Sequence, residues 1–363
     1  MANPIGVLVD RRTLAKAMRG RPTTERIALY RSIARDELGI DIVLFSVEGL
    51  SVGRGLVTGY VPSESWWRRR RVPIPRVIHK RVLFRDSAPL RRLGRLQRRG
   101  TVFVNPTLIQ NKADMGRTLA ADPEVSPHLP ATSPYRWERL AAMLDRGTAA
   151  ILKPRVGSVG QGVIRLIPKE RGYTEMTTKA ARLLSRSALR RHIRRATGSR
   201  RYLLQEYVNL ARFEGRPFDL RVPVQRDGSG QWKLSGMVAK VARKHPFLTN
   251  AGQGGRVMPA QKALEHAFGL QAAEVSRRVG EVAVKVAKAV ARKHPFAADL
   301  GLDMGVDADG KPWLIEVNTR DQRYTFHEAG MEEEFRSLYR NPLAFCARLL
   351  QELERGSRWL PPD

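Results

Sequence analysis

Residues 301–318 read GLDMGVDADGKPWLIEVN, two runs of apolar and β-branched residues separated by Asp309-Gly310. An Asp-Gly pair between such runs predicts two strands joined by a tight turn. Residues two apart in a strand share a face, so Glu316 and Asn318 point the same way, and Asp303 stands on the neighbouring strand. Three oxygen donors then converge. Mg²⁺ is commonly held by one or two carboxylates while substrate phosphates and water complete its octahedron, so this set suits a nucleotide-bound metal better than an all-protein cage. A competing reading pairs Asp303 and Glu316 with the abundant arginines of the chain.

Working outward, the segment EVSRRVGEVAVKVAKAVARK carries Val275, Val279, Val282, Val286 and Val290 at steps of three and four, the spacing of one helical face, and Pro295 stops it. Its last residues belong to the heptapeptide VARKHPF, present at 241–247 and again at 290–296. The first copy ends WKLSGMVAKVARK, which fits no helical stripe and reads as a strand. The flanks diverge at once, LTNAGQGG against AADLGLD, so duplication is not expected. Farther upstream, AAILKP runs into a glycine-rich loop, Lys153 to Gly162, and out through VIRLI, a strand–loop–strand unit followed by a basic helical segment to about 198. Glycines let backbone N–H groups approach phosphate oxygens, and a lysine at the strand end supplies charge. The loop is neither the Walker pattern nor the Rossmann fingerprint, and a plain β-turn also accounts for it.

The remainder bounds the class. The chain has 363 residues, 42% of them hydrophobic, enough for a sizeable core and two or three domains. GVLVD at 6–10 and DIVLFSV at 41–47, around a helical segment near 23–38, indicate a small α/β domain. No run reaches the roughly eighteen apolar residues of a membrane span, and the start MANPIGVLVDRR is charged too early for a secretory signal, so the expectation is a cytoplasmic protein. The single cysteine, Cys346, lies in an amphipathic pattern and is expected in the core. Lys and Arg number 65 against 35 Asp and Glu, a net charge of +30, clustered at Arg68–Arg71, 91–99 and 182–201. Such a field attracts polyanions, nucleic acid included, but an arginine-rich solvated surface has the same composition.

Taken in order, these pieces resemble the ATP-grasp superfamily, and over most of the length the chain is similar to its YheC/YheD-type branch, associated with spore coats. That resemblance implies an ATP-grasp fold of the α/β (α+β) class. Its parts would be an N-terminal pre-ATP-grasp domain over 1–108, a central domain with a glycine-rich lid over 109–204, and a C-terminal domain with the metal site over 205–355. It implies that Lys112 and Lys153 touch ATP phosphates and that Ser158, Val159, Gly160, Gln161 and Gly162 close over them. Gln205, Glu206, Tyr207 and Val208 match the hinge that holds adenine, and Asp219 matches the ribose contact. Asp303, Glu316 and Asn318 match the ligands of what are usually two Mg²⁺ ions. Asn250 with Gly254 and Gly255 matches a loop near the transferred phosphate, and Arg221, Lys240, Arg243 and Arg320 are candidate cations for that phosphate.

The activity so implied is ATP- and Mg²⁺-dependent ligation, in which a carboxylate becomes an acylphosphate and is joined to an amine, with ADP released. Phosphotransfer without ligation, and a coat-associated protein that binds nucleotide or polyanion without catalysis, are the alternatives. The basic surface points to an acidic peptide or polymer as substrate. D-alanine ligases carry an arginine two residues before the first metal carboxylate; here that position is Gly301, which argues against D-alanine ligation. His327, in TRDQRYTFHEAG, reads as a polar loop residue rather than a base.

Overall fold

The computed structural model describes residues 3–64, 66–84, 86–106, 112–154, 162–177, 180–198, 202–242 and 255–356, without the side chains of Lys112 and Ala113. These residues form three sheets, one after another along the chain. In the first, Ile5–Leu8, Ile42–Phe45, Val77–Lys80 and Val102–Val104 run parallel and are almost wholly apolar, as a sheet covered on both faces requires. One cover is Ser87–Arg98, through Leu93 and Leu96; the other is the last helix, Glu332–Glu354, through Phe335, Leu338, Tyr339 and Phe345. Cys346 is fully buried in that second layer, which pushes its thiol up, as a core cysteine should be. The strand order places Ile5–Leu8 between Ile42–Phe45 and Val77–Lys80, so the chain reverses its direction of progress across the sheet at Ile5–Leu8.

The second sheet is antiparallel, in the order Ala181–Leu184, Gly172–Met176, Ile164–Lys169, Ala150–Pro154, Tyr202–Glu206, Thr132–Pro134. Trp137–Asp145 and Arg186–Thr197 close its core through Leu140, Leu144, Leu189 and Ile193. The sequence reading runs from VIRLI straight to a helix. Instead, Gly172 turns the chain back at φ 128°, where a Cβ would meet the Leu184 carbonyl at 2.5 Å, and two more strands precede the helix.

At the centre of the third sheet is Arg216–Arg226, buried over ten consecutive residues after Arg216. Asp299–Val306 pairs with one edge and is followed outward by Pro312–Asn318; Val238–Val241 and Trp232–Leu234 share the other edge. The single strand expected over 232–242 is therefore two. Gly236 separates them at φ 134°, and a Cβ there would stand 2.7 Å from the Phe326 ring. The helix Ala272–Lys293 follows the sequence reading: Val275, Val279, Val282, Val286 and Val290 are all buried against Leu220, Val222, Val224, Leu300 and Leu302. Each such side chain is worth about 1.5–3 kcal/mol on leaving water.

A buried ionic cluster binds the first sheet to the third. Asp299 accepts from Arg81 at 2.8 Å, from Arg323 at 2.7 Å and from Gln225 at 2.7 Å, and lies 3.2 Å from His79 Nε2. Glu25 meets the same two arginines, at 3.0 Å and 3.4 Å, and Asn105 ties the Asp299 backbone in place through its side-chain amide. Burial pushes the Glu25 carboxyl up, but Arg81 and Arg323 overcome that and bring it to about 2. Burial is also the largest influence on His79 and takes it down to about 4.

The sign for stability follows. Between pH 6.5 and about 4 the unfolded chain takes up a proton at His79 that the folded chain refuses, so stability falls as pH drops through that window. His79→Gln should flatten this part of a stability–pH curve, leaving the further loss at lower pH that belongs to the depressed carboxyls Glu25 and Asp299. Urea unfolding at half-unit steps checks it; an unchanged slope from 6.5 to 4 rejects the assignment.

Candidate active site

The third sheet assembles a compact set of charges on one face. Asp303 lies across from Glu316 in register and across from Arg221 on the other side, while Asn318 pairs with Gly301 two residues back. Asp219 pairs with Lys240 on the far side of the central strand. Alternation along the strands thus brings Asp219, Arg221, Lys240, Asp303, Glu316 and Asn318 to one place. Asp303 Oδ1 accepts from Arg221 at 2.9 Å and from Lys240 at 2.7 Å, and its Oδ2 accepts from the Asn318 amide at 3.1 Å. Lys240 also lies 3.0 Å from Asp219.

Burial raises Asp303, but Arg221 and then Lys240 outweigh it, so the carboxyl is held below its ordinary range and stays ionised. Lys240 is treated likewise in the opposite sense: burial lowers it, and Asp219 and Asp303 raise it past its usual value. Among the described residues no three His, Cys, Asp or Glu side chains gather as a metal site. Two carboxylates and an amide are instead a hard-oxygen set that leaves most positions to phosphate and water, which fits Mg²⁺ carried on a nucleotide.

Gly301 gains a physical reason. The Asp321 carboxylate fills the space above it, and a Cβ at 301 would come within 2.3 Å of Asp321 Oδ1. Asp321 is 1% exposed, and Arg221 Nε approaches the same oxygen to 3.2 Å. Arg221 is thereby held between Asp303 and Asp321. Sequence reasoning did not find Asp321; the visible signal was its place three residues after Asn318.

Of the hinge and lid candidates, Lys153, Gln205 and Glu206 lie on strands of the second sheet. Lys153 donates to Gln205 at 3.1 Å, since Ala150–Pro154 and Tyr202–Glu206 are neighbours, and Gln205 donates on to Thr132 at 2.9 Å. Glu206 and Val208 are partly exposed beside them, and the Tyr207 ring carries the Arg165 guanidinium 3.6 Å from its centroid. Gly162 has φ 74°, a left-handed turn. Lys112 begins the helix Lys112–Ala120. Ser158, Val159, Gly160, Gln161, Arg243, Asn250 and Gly254 lie outside the described residues. Arg320 is partly exposed and close enough to Lys80 for its charge to depress that lysine. His327 is 44% exposed at its side chain, bonded to Glu332 and stacked on Phe335, as befits a surface residue.

The pattern of the YheC/D-like ATP-grasp family matches residues 100–349, which span the second and third sheets and most of the last helix. The chain belongs to that family. Curated relatives of this YheC/D-like chain include the endospore coat-associated proteins YheD and YheC of Bacillus subtilis (strain 168). YheD is 24% identical over 84% of this chain and 70% of its own length. YheC is 24% identical over 87% of this chain and 90% of its own length. Among solved structures, the ATP-grasp ligase PsnB complexed with minimal precursor, Mg and ADP superposes with a TM-score of 0.54 at 16% identity, covering 95% of this chain and 98% of that one. The fold is ATP-grasp. Among the described residues no helix is long and apolar enough to cross a membrane.

Proposed function

We propose that this YheC/D-like chain is an ADP-forming ligase that uses ATP and Mg²⁺ to activate a carboxylate and join it to an amine. The observation that carries the reading is Asp303, Glu316 and Asn318 on paired strands, with Arg221 and Lys240 packed against Asp303. In this reading the first two carboxylates and the Asn318 amide hold Mg²⁺, usually as two ions, which neutralises phosphate charge when ATP is bound. Arg221 and Lys240 stand ready beside the phosphoryl group in transit, fixed by Asp321 and Asp219 so that no reorganisation is needed as charge develops. Lys153 and Lys112 serve the nucleotide phosphates, the 158–162 loop covers them, Gln205 to Val208 hold adenine, and Asp219 holds ribose. The parts 1–108, 109–204 and 205–355 act as substrate domain, lid and metal domain.

A substrate carboxylate oxygen attacks the γ-phosphorus and ADP leaves; the amine then attacks the acyl carbon, expels phosphate and loses its proton. PsnB was solved with a precursor peptide, and this chain carries +30, so an acidic peptide is the substrate class favoured. The curated relatives are endospore coat-associated, which supports a place for this chain in the spore. The test is ADP release with pooled amino acids and acidic peptides, wild type beside Glu316→Ala, with mass spectrometry of products. ADP with a condensed product, lost in the variant, is the expected result. A phosphorylated product without condensation would make it a kinase, and turnover equal in both proteins would remove Glu316 from the site.

A further inference from the structure

We infer that Lys80 and Arg320 form a subsite for a non-reacting carboxylate of the substrate, at the carboxyl ends of the parallel strands of the first sheet. The inference rests on the ligase reading for what the ligand is, but not for the site itself.

Lys80 ends the strand Val77–Lys80 opposite Leu8 and is 1% exposed. Its ammonium donates to one backbone carbonyl, Val82 O, at 3.0 Å. Four other buried cations around the junction of the first and third sheets face carboxylates: Arg81 and Arg323 face Glu25 and Asp299, Arg221 faces Asp303 and Asp321, and Lys240 faces Asp219 and Asp303. Among the described residues Lys80 has no such ion pair, and the charges acting on it, Arg81 and Arg320, are of its own sign. A buried cation without an anion is costly unless a ligand brings one. Burial first, then Arg81 and Arg320, take Lys80 down to about 8, so it still carries its charge at neutral pH.

The position is where a ligand belongs. Chain progress reverses at Ile5–Leu8, and in open parallel sheets the crevice beyond the strand ends at such a reversal is the usual ligand site. Arg320 follows Asn318 by two residues and is partly exposed, and its charge acts on Lys80, so the two cations lie together beside the proposed metal set. A carboxylate between the two cations fits a substrate with two acidic groups, one activated at Asp303 and one held here.

Thermal unfolding of the full chain with Mg-ADP held saturating, and glutarate or inorganic phosphate titrated, is the test. Glutarate is expected to raise the Tm of the wild type, and Lys80→Met and Arg320→Gln to raise the concentration for half the shift by about tenfold or more. Lys80→Met should also raise the Tm of the ligand-free protein, because it removes an uncompensated buried charge; a purely structural lysine gives the opposite sign. No glutarate shift in the wild type, a shift that survives both substitutions, or a stronger Lys80-dependent shift with phosphate overturns the assignment. A missing Tm response to Mg-ADP alone would instead count against the nucleotide site, leaving this subsite to be judged on glutarate.

Discussion

Asp299→Ala is expected to cost the folded protein about 3–5 kcal/mol, the usual effect of breaking a buried ion pair from one side. Asp299 is fully buried and serves Arg81, Arg323, Gln225 and His79 together, so its loss leaves two guanidinium groups sharing Glu25 as their carboxylate. Neither can reach water, each being 1% exposed at the side chain. The cluster also spans two sheets: Arg81 and Glu25 come from the first part of the chain and Asp299 and Arg323 from the last. Urea unfolding of the variant should therefore show a lower midpoint and, if the sheets part separately, a second transition. A loss below about 1 kcal/mol would mean that water or rearrangement satisfies the arginines, against the packing seen.

None of this cluster was legible in the sequence, although the third sheet was. The paired strands at 299–318 and the helix 272–293 are local patterns: alternation, an Asp-Gly turn and a valine stripe announce themselves within twenty residues. The convergence of Asp303, Glu316 and Asn318 followed because period two fixes which side chains share a face. His79, Glu25, Asp299 and Arg323 are separated by up to 298 residues, and no local period connects them. Arg81 looked like one arginine among many, because a chain with 65 basic residues hides its few buried ones. Lys80 was hidden for the same reason. Gly172 and Gly236 show the other limit: the first turns the chain into two strands where the sequence reads on to a helix, the second divides what reads as one strand, and the cause is a left-handed φ together with a close neighbour, Leu184 or Phe326, that arrives from elsewhere in the chain. Gly301 was noticed only as the absence of an arginine, and the Asp321 that fills its space became visible once the strands were paired.

Asp303→Asn should lower ATP turnover by about 10²–10³-fold while leaving the protein folded. Asparagine keeps the size of aspartate, and the two cations bound to Oδ1 retain other carboxylates, Asp321 for Arg221 and Asp219 for Lys240. The fold thus loses charge-assisted hydrogen bonds worth about 1.5–3 kcal/mol each at most, not a whole buried cluster. The nucleotide site is affected differently, and the sign of the effect identifies the role. If Asp303 holds Mg²⁺, the wild type binds ATP more tightly with Mg²⁺ than without, and the variant loses that gain. Without Mg²⁺ the variant should bind ATP as well as or better than the wild type, because a carboxylate that repels the triphosphate has gone and Arg221 and Lys240 are freer to meet it. Calorimetric titration of ATP with and without Mg²⁺ on both proteins separates these terms. Retention of the full Mg²⁺ gain in the variant would reduce Asp303 to a structural partner of Arg221 and Lys240, and weaker Mg²⁺-free binding would show that Asp303 serves the nucleotide by positioning those cations.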